Sequence, residues 1–568
     1  MKVLSFTNHF ESGAALLNRG VTTAASEERF SRVKNQGGHP KQAIEWLLKD
    51  ANIELRDLDK IYYCSIGYLN PDTQDLKDQS SRLASCDDVE KQIFLERLTT
   101  ETLYNQKAFS DLEDWRLENR IDSDMIECVD HHESHARAAL LVYKVEDNAK
   151  IFTCDGKGGF NSSVCWSYAN GELKSEGKST SFDSLGYFYG NVTIGLGFKA
   201  ERHEGKITGL AAFGSPKKEL VEKLNVFRVE HGKIVTSNIL GRYIPFFIRD
   251  ETKWDITQFE EVLRDYSKED IAAASQQILE DTVTDWIESN LVDSDKHIYL
   301  SGGIFANVKL NQRIQESLPN IKINVCPPMG DTGLCLGGLH KHISKEPKKI
   351  KFPKLPGMFL GPKFEDTEIA DKLNERGYGF FEMANAGECV DLLMKAFSRN
   401  EPVGIFSGSM EFGPRALCHR TILFTAVDKS INDSLNKRLN RTEFMPFAPV
   451  VLDSLVPQCF LGDPLDSHTS SYMTITYDCT QEFKETAPAV VHVDGTARPQ
   501  VLTQDADPRM YELLREYCEK TGELCLVNTS FNNHESPIVC SVEDALDSLE
   551  LNNVDHILFN HRYWISRK

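Results

Sequence analysis

Three histidines crowd into the stretch Asp130-His131-His132-Glu133-Ser134-His135-Ala136-Arg137. His131 and His135 are four residues apart, so on a helix they share a face, and two neutral imidazole nitrogens can reach one cation. His132 falls on another face. Two histidines do not complete a site, so carboxylates must come from other segments. Asp155 stands at a strand end before Gly156-Lys157-Gly158-Gly159, and Asp331 stands in the turn Met329-Gly330-Asp331-Thr332-Gly333. Both are oxygen donors of the kind that divalent iron, manganese or zinc accepts. Solvated histidines at a helix start would show the same spacing, so the pair by itself leaves both readings open.

Two glycine turns and a group of arginines add a second chemistry. Gly156-Lys157-Gly158-Gly159 would let backbone N–H groups approach phosphate oxygens closely. Ser301-Gly302-Gly303 joins a buried strand to a helix whose N-terminus favours an anion or nucleotide. Neither stretch fits the P-loop or dinucleotide pattern, and tight turns that need positive φ would explain them equally well. Further along lie Arg415 and Arg420 in FGPRALCHR, Arg441 in LNRTEF and Arg498 in HVDGTARPQ, with Asn528 and Ser530 in LVNTSFN. Guanidinium forks suit phosphate and carboxylate oxygens; interdomain salt bridges are the alternative use.

These residues need elements to position them. MKVLSFTN reads as a first strand, followed by strand, a turn at Asn18-Arg19-Gly20, and strand. PKQAIEWLLKD (40–50) has the spacing of an amphipathic helix, and residues 73–119 read as a charged helical insertion. MIECVD leads as a strand into the helix HHESHARAALLVY. Residues 270–289 form another helix, and strands are expected at KHIYLS, VGIFSGS, AVVHVDG and ELCLVNTS. Alternation of this kind predicts α/β architecture. The Lys- and Pro-rich run at 344–357 is the expected linker.

The chain has 568 residues, 40% hydrophobic and 26% charged, with a net charge of −21. That length implies more than one domain. The acidic balance disfavours a long nucleic-acid footprint. No apolar run reaches membrane-span length, and the start lacks the pattern of a secretory leader, so a cytoplasmic protein without membrane association is expected. Fourteen cysteines without a C-x-x-C pair suit buried free thiols.

Taken in order, the stretches HFESGAALL, SEERFSRVKN, DHHESHARAA, DGKGGFNSS, GKITGLAAFG, SGGIFANVKLN, PPMGDTG, FGPRALCHR, PFAPVVL, PAVVHVDGTARPQ and VNTSFNNHESPIVCSVEDAL resemble the NodU/CmcH-type O-carbamoyltransferase family. The resemblance implies an actin/sugar-kinase-like domain with two subdomains over 1–343, the linker 344–357, and a YrdC-like twisted α/β domain over 358–568. It implies that carbamoyl phosphate and ATP, the latter with Mg2+, give carbamoyl-adenylate and pyrophosphate. The carbamoyl group then passes to an acceptor hydroxyl.

By that resemblance His131, His135, Asp155 and Asp331 hold a divalent metal, usually iron, with manganese or zinc as alternatives. His9 serves as a base near the acceptor. Lys34 lies near the adenylate. Gly158, Gly302, Gly303 and Asn307 bind nucleotide. Arg415, Arg441, Arg498, Asn528 and Ser530 line the carbamoyl-phosphate and ATP pocket, where Arg415 and Arg498 act in catalysis. Asn440 stands where the family has lysine, Met445 where it has arginine, and Cys418 where glycine is common; Arg438 or Arg441 is expected to supply the missing charge. The acceptor is expected to be a small sugar-like or antibiotic-like molecule or a hydroxymethyl pyrimidine, rather than a polymeric nucleic acid. A homodimer is compatible with the chain. Two competing functions are a threonylcarbamoyl-type transferase acting on tRNA adenosine and a non-catalytic nucleotide-binding regulator.

Overall fold

A computed structural model describes residues 1–8, 10–64, 73–237, 257–345, 352, 355, 357–440, 444–465 and 468–568. The chain divides into two compact units. The first holds Met1–Gly20, Gly37–Pro40 and Leu48–Pro353; the second holds Val21–Gln36, Lys41–Leu47 and Lys354–Lys568. Much of the 344–357 run expected as a linker lies outside the described residues.

The first sheet comprises β1 (Lys2–Thr7), β2 (Gly13–Asn18), β3 (Val21–Ser26), β4 (Lys60–Cys64) and β5 (Ile126–Val129), in the order β3-β2-β1-β4-β5. The expected turn at Asn18-Arg19-Gly20 is present. Arg19 and Gly20 both have positive φ, 51° and 84°, the backbone that a two-residue hairpin requires. The second sheet comprises β6 (Ala149–Gly158), β7 (Asn161–Ala169), β8 (Glu172–Thr180), β11 (His297–Ser301) and β12 (Lys322–Val325); β9 (Phe227–Glu230) and β10 (Lys233–Thr236) form a separate hairpin. Its order, β8-β7-β6-β11-β12, repeats that of the first sheet. In both, the first strand pairs antiparallel with the second and parallel with the fourth, and the fourth pairs parallel with the fifth. This duplicated sheet is the actin/sugar-kinase-like architecture, and no sequence repeat announced it.

The last strand of each sheet leads to a helix, His131–Val142 in one case and Leu334–Lys345 in the other. The two helices touch backbone to backbone, because Gly337 has no side chain: a Cβ there would lie 2.1 Å from the Ser134 carbonyl oxygen. The helical insertion is present as Thr73–Ala84 and Asp88–Glu118, and the predicted helix at 270–289 runs from Lys268 to Glu288.

The second unit is built on an eight-stranded mixed sheet. In chain order its strands are β13 (Phe381–Glu382), β14 (Val403–Phe406), β15 (Arg420–Thr425), β16 (Ala448–Leu452), β19 (Gln500–Leu502), β20 (Leu526–Ser530), β21 (His556–Phe559) and β22 (Tyr563–Ser566). Helices such as Asp366–Glu375, Ala386–Phe397 and Pro508–Thr521 bury Leu373, Leu393 and Leu513 in the core of this unit. The strand expected at AVVHVDG does not form. That stretch turns at Asp494-Gly495, where Gly495 has φ 81° and its N–H donates to the His492 carbonyl at 2.9 Å. The two short strands β17 (Tyr477–Asp478) and β18 (Thr496–Ala497) pair around it. The turn chemistry of Asp-Gly decided the backbone there. All fourteen cysteines are free, and all but Cys128 and Cys518 are buried.

Candidate functional site

The helix His131–Val142 begins where Asp130 caps it, its side chain accepting from the Glu133 N–H at 3.0 Å. The first two turns then place His131 and His135 on one face. Parallel strands β6 and β11 bring Asp155 beside Gly302-Gly303, and the segment after β12 brings Asp331. His135 Nε2 lies 3.1 Å from Asp155 Oδ2 and 3.8 Å from Asp331 Oδ1; His131 Nε2 lies 3.7 and 3.9 Å from the same two oxygens. One ligand atom from each of the four residues falls within 4.8 Å of the others.

The donors fit a divalent cation. His131 is 1% exposed, yet neither ring nitrogen has a hydrogen-bond partner. An orphaned buried imidazole is costly, and a cation between two imidazoles and two carboxylates would satisfy it. Burial works against charge on His131, but Asp331 and Asp155 outweigh it and hold the imidazole above its ordinary value. Burial likewise opposes charge on Asp155. The two imidazoles facing it, His135 at 3.1 Å and His131 at 3.7 Å, nonetheless hold this carboxyl well below the usual carboxylate range. His132 takes no part. Its Nδ1 lies 3.1 Å from the Thr153 hydroxyl and its Nε2 3.1 Å from the Asn161 carbonyl, and burial lowers it to about 3.

The glycines expected to cradle phosphate or nucleotide pack closely beside this cluster. A Cβ on Gly158 would lie 2.3 Å from His131 Cδ2, and one on Gly302, at φ 105°, would lie 2.2 Å from the Cys154 carbonyl oxygen. Gly303 donates its N–H to Asp155 Oδ2 at 3.1 Å. Residues Gly156 to Gly158 continue β6 through an irregular register rather than forming an open loop. Asn307 caps the helix Val308–Ser317, and its amide donates to Gln276 Oε1 at 2.8 Å and Thr208 Oγ1 at 3.2 Å. Glu11 comes close by: a Cβ on Gly330, next to Asp331, would lie 2.9 Å from Glu11 Oε2. His9 and Arg441 lie outside the described residues.

The remaining expected site residues belong to the second unit, Lys34 among them. Segment 27–36 is anchored there. Arg29 donates to the Gly413 carbonyl at 3.1 Å, and Arg32 donates to the carbonyls of Ile538 and Pro537 at 2.8 and 2.9 Å. Glu28 pairs with Arg29 at 2.8 Å, accepts the Asn35 N–H at 2.7 Å and lies 3.9 Å from Lys34 Nζ. Lys34 is therefore held on a segment that grips the loop carrying Arg415.

That loop is fixed from beneath by buried Glu411, whose Oε1 accepts the N–H groups of Leu417, His419 and Arg420 at 2.7, 2.8 and 3.1 Å. Arg415 and Arg498 are half-buried. Arg420 is fully buried, donates to the carbonyls of Ser407, His419, Pro362 and Gly408, and stacks over Phe406 at 3.7 Å. This guanidinium holds the fold together and is not offered to a ligand. Asn528 is 1% exposed with its amide engaged inside the protein, and the Ser530 hydroxyl donates to Asn532 Oδ1 at 2.6 Å. Cys418 has φ 79°. A side chain in the left-handed region costs about 1–3 kcal/mol. Sequence reasoning assigned no role to Glu28, Arg29, Glu411 or Gln500, although three of the four lie inside the motifs quoted for the resemblance; only Glu411 falls outside, immediately before FGPRALCHR.

The fold thus holds two sheets of like strand order, a His2Asp2 cluster, and a second α/β unit with arginine-bearing loops. Residues 2–339 match the profile for the carbamoyltransferase N-terminus, and residues 394–567 match that for the C-terminus. The chain is a member of this family, of NodU/CmcH type, and is an enzyme. It is 30% identical over 580 residues to uncharacterized protein MJ1051 of Methanocaldococcus jannaschii, covering 100% of this chain and 99% of the relative. It is 27% identical over 565 residues to nodulation protein NolNO of Sinorhizobium fredii, covering 98% of this chain and 79% of that one. Among solved structures, full-length HypF in its phosphate- and nucleotide-bound form aligns with 61% of this chain and 55% of its own, at TM-score 0.33 and 11% identity. A likeness that distant adds nothing to the functional reading. No helix among the described residues is long and apolar enough to cross a membrane.

Proposed function

We propose that the protein is an ATP-dependent O-carbamoyltransferase. Carbamoyl phosphate and ATP are converted to carbamoyl-adenylate, with phosphate and pyrophosphate leaving and one water consumed. An acceptor hydroxyl then attacks the carbamoyl carbon, giving a carbamate ester and AMP. The first step belongs to residues 358–568 and the second to 1–343, with 344–357 between them. The observation that carries this reading is the convergence of His131, His135, Asp155 and Asp331 in a chain of this family.

A divalent cation held by those four residues would polarise the carbamoyl carbonyl as negative charge develops on its oxygen. Arg415 and Arg498 bind phosphate oxygens, and Lys34 binds the adenylate. Ser530 adds a hydroxyl at the same pocket. His9 takes the acceptor proton, a task suited to an imidazole near neutral pH. The acceptor is a small hydroxylated molecule, in keeping with the net charge of −21.

The test is release of pyrophosphate from ATP on adding carbamoyl phosphate, in the presence of ferrous iron. Release is expected to depend on carbamoyl phosphate and to vanish in Arg498→Ala. ATP binding without release, in the presence of a pool of hydroxylated acceptors, would overturn the proposal.

A further inference from the structure

The loops that carry Arg415 and Arg498 are fastened to one buried side chain. Asn528, in β20, donates from its amide nitrogen to Gln500 Oε1 at 2.6 Å and to the Ala416 carbonyl at 3.3 Å. Cys418 Sγ lies 3.5 Å from the same nitrogen and 3.2 Å from the same Gln500 oxygen. On the other side the Thr421 hydroxyl contacts Asn528 Oδ1. Asn528 is 1% exposed and Gln500 2% exposed. Ala416 follows Arg415 directly, and Gln500 lies two residues beyond Arg498.

An asparagine amide has two N–H donors. Here both have acceptors within the protein, one in the loop of Arg415 and one at the start of β19, two residues past Arg498. Neither amide can lose its partner cheaply, because each would leave a buried polar group unsatisfied. The arrangement also accounts for the thiol at position 418. It holds a left-handed backbone, and its sulfur adds a third contact to the same point.

We infer that Asn528 and Gln500 form a clasp that sets the spacing of Arg415 and Arg498. Both act as positioning residues, and Asn528 does not itself contact the substrate. The inference rests on the carbamoyl-phosphate reading of the two arginines. An anion gripped by two guanidinium groups needs them at fixed separation, and a displacement of about 1 Å costs on the order of 100-fold in rate.

The experiment compares Asn528→Ala, Gln500→Ala and the double variant in the full chain. Each single substitution is expected to lower kcat/KM for carbamoyl phosphate by about 10- to 100-fold, and the double variant to be no worse than the poorer single, because one clasp is broken once. Hydrogen exchange supplies a readout independent of turnover. Each single variant should raise exchange in both 414–418 and 498–502. If the alanine variants do not fold, Gln500→Met keeps the volume and removes only the acceptor. Direct substrate contact by Asn528 predicts the opposite: loss in Asn528→Ala, near wild-type rates in Gln500→Ala, and local exchange only. That result would overturn the clasp. A silent wild-type enzyme whose two loops still loosen together would reject the carbamoyl-phosphate reading and leave the clasp standing.

Discussion

The two five-stranded sheets share one strand order and end in different chemistry. Past β1 the chain places Asn8, 2% exposed, whose amide donates to the Ala108 carbonyl at 2.8 Å and whose oxygen accepts from Tyr63 at 2.6 Å. In β6, the equivalent strand, the chain places Asp155 against two imidazoles. One copy spends its polar side chain on holding the insertion helix Asp88–Glu118; the other leaves a carboxylate facing the cluster. The helices that follow the fifth strands divide the work in a similar way. His131–Val142 supplies nitrogen donors, while the turn before Leu334–Lys345 supplies Asp331. Duplication thus provides paired positions at the strand ends, and residue identity decides which of them carry chemistry.

The largest test of this contrast removes a donor from the cluster. His135→Ala should lose tightly bound metal after dialysis, measured by elemental analysis, and should lower carbamoyl transfer by about 100- to 1000-fold. Stoichiometric metal in this variant would mean that the cluster is not the binding site. Next is Gly158→Ala, which drives a methyl group into the His131 ring and should weaken metal affinity about 10- to 100-fold in a titration. Unchanged affinity would show that the ring position is not critical.

A third substitution addresses the contact between the equivalent helices. Gly337→Val forces a side chain onto the Ser134 carbonyl and should destabilise the fold by about 3 kcal/mol in urea denaturation. A change below about 1 kcal/mol would mean that the helices separate without cost. The smallest effect concerns His340 on the second of those helices, which burial and then Arg137 hold down to about 3 from an ordinary value of 6.5. The unfolded chain takes up this proton below about pH 6.5 and the folded chain does not. Stability from the neutral ring is therefore complete above that pH and is lost as pH falls towards 3. Between pH 7 and pH 5 the loss should be about 2 kcal/mol. His340→Phe should lack that part of the pH dependence; identical slopes for both proteins would refute the assignment.

The four cluster residues were legible because each sits at a boundary that local sequence marks: a helix start, a strand end, a glycine turn. The purpose of the glycines was not legible. Gly158 and Gly302 were expected to bind nucleotide; the structure adds that their missing side chains admit His131 and the Cys154 carbonyl, partners far away in sequence. Arg420 and Arg415 look alike in the linear motif, and only packing on Phe406 and four carbonyls separates a structural guanidinium from a candidate ligand-binding one. Nor does the sequence reveal that residues 21–36 belong with the second unit, since that depends on carbonyl partners at Gly413, Pro537 and Ile538.

By itself, the sequence determined the α/β alternation, the i, i+4 histidine pair, the Asn-Arg-Gly hairpin turn and the family. These depend on period, spacing and local backbone preference, which operate over a few residues. The tertiary structure decided that two unlike stretches fold as copies of one sheet, that two aspartates 176 residues apart meet the histidines, and that Asn528 is spent on Gln500 and Ala416. Those outcomes follow from burial: a polar group taken out of water must find a partner, and which partner is available is settled only once distant segments pack together.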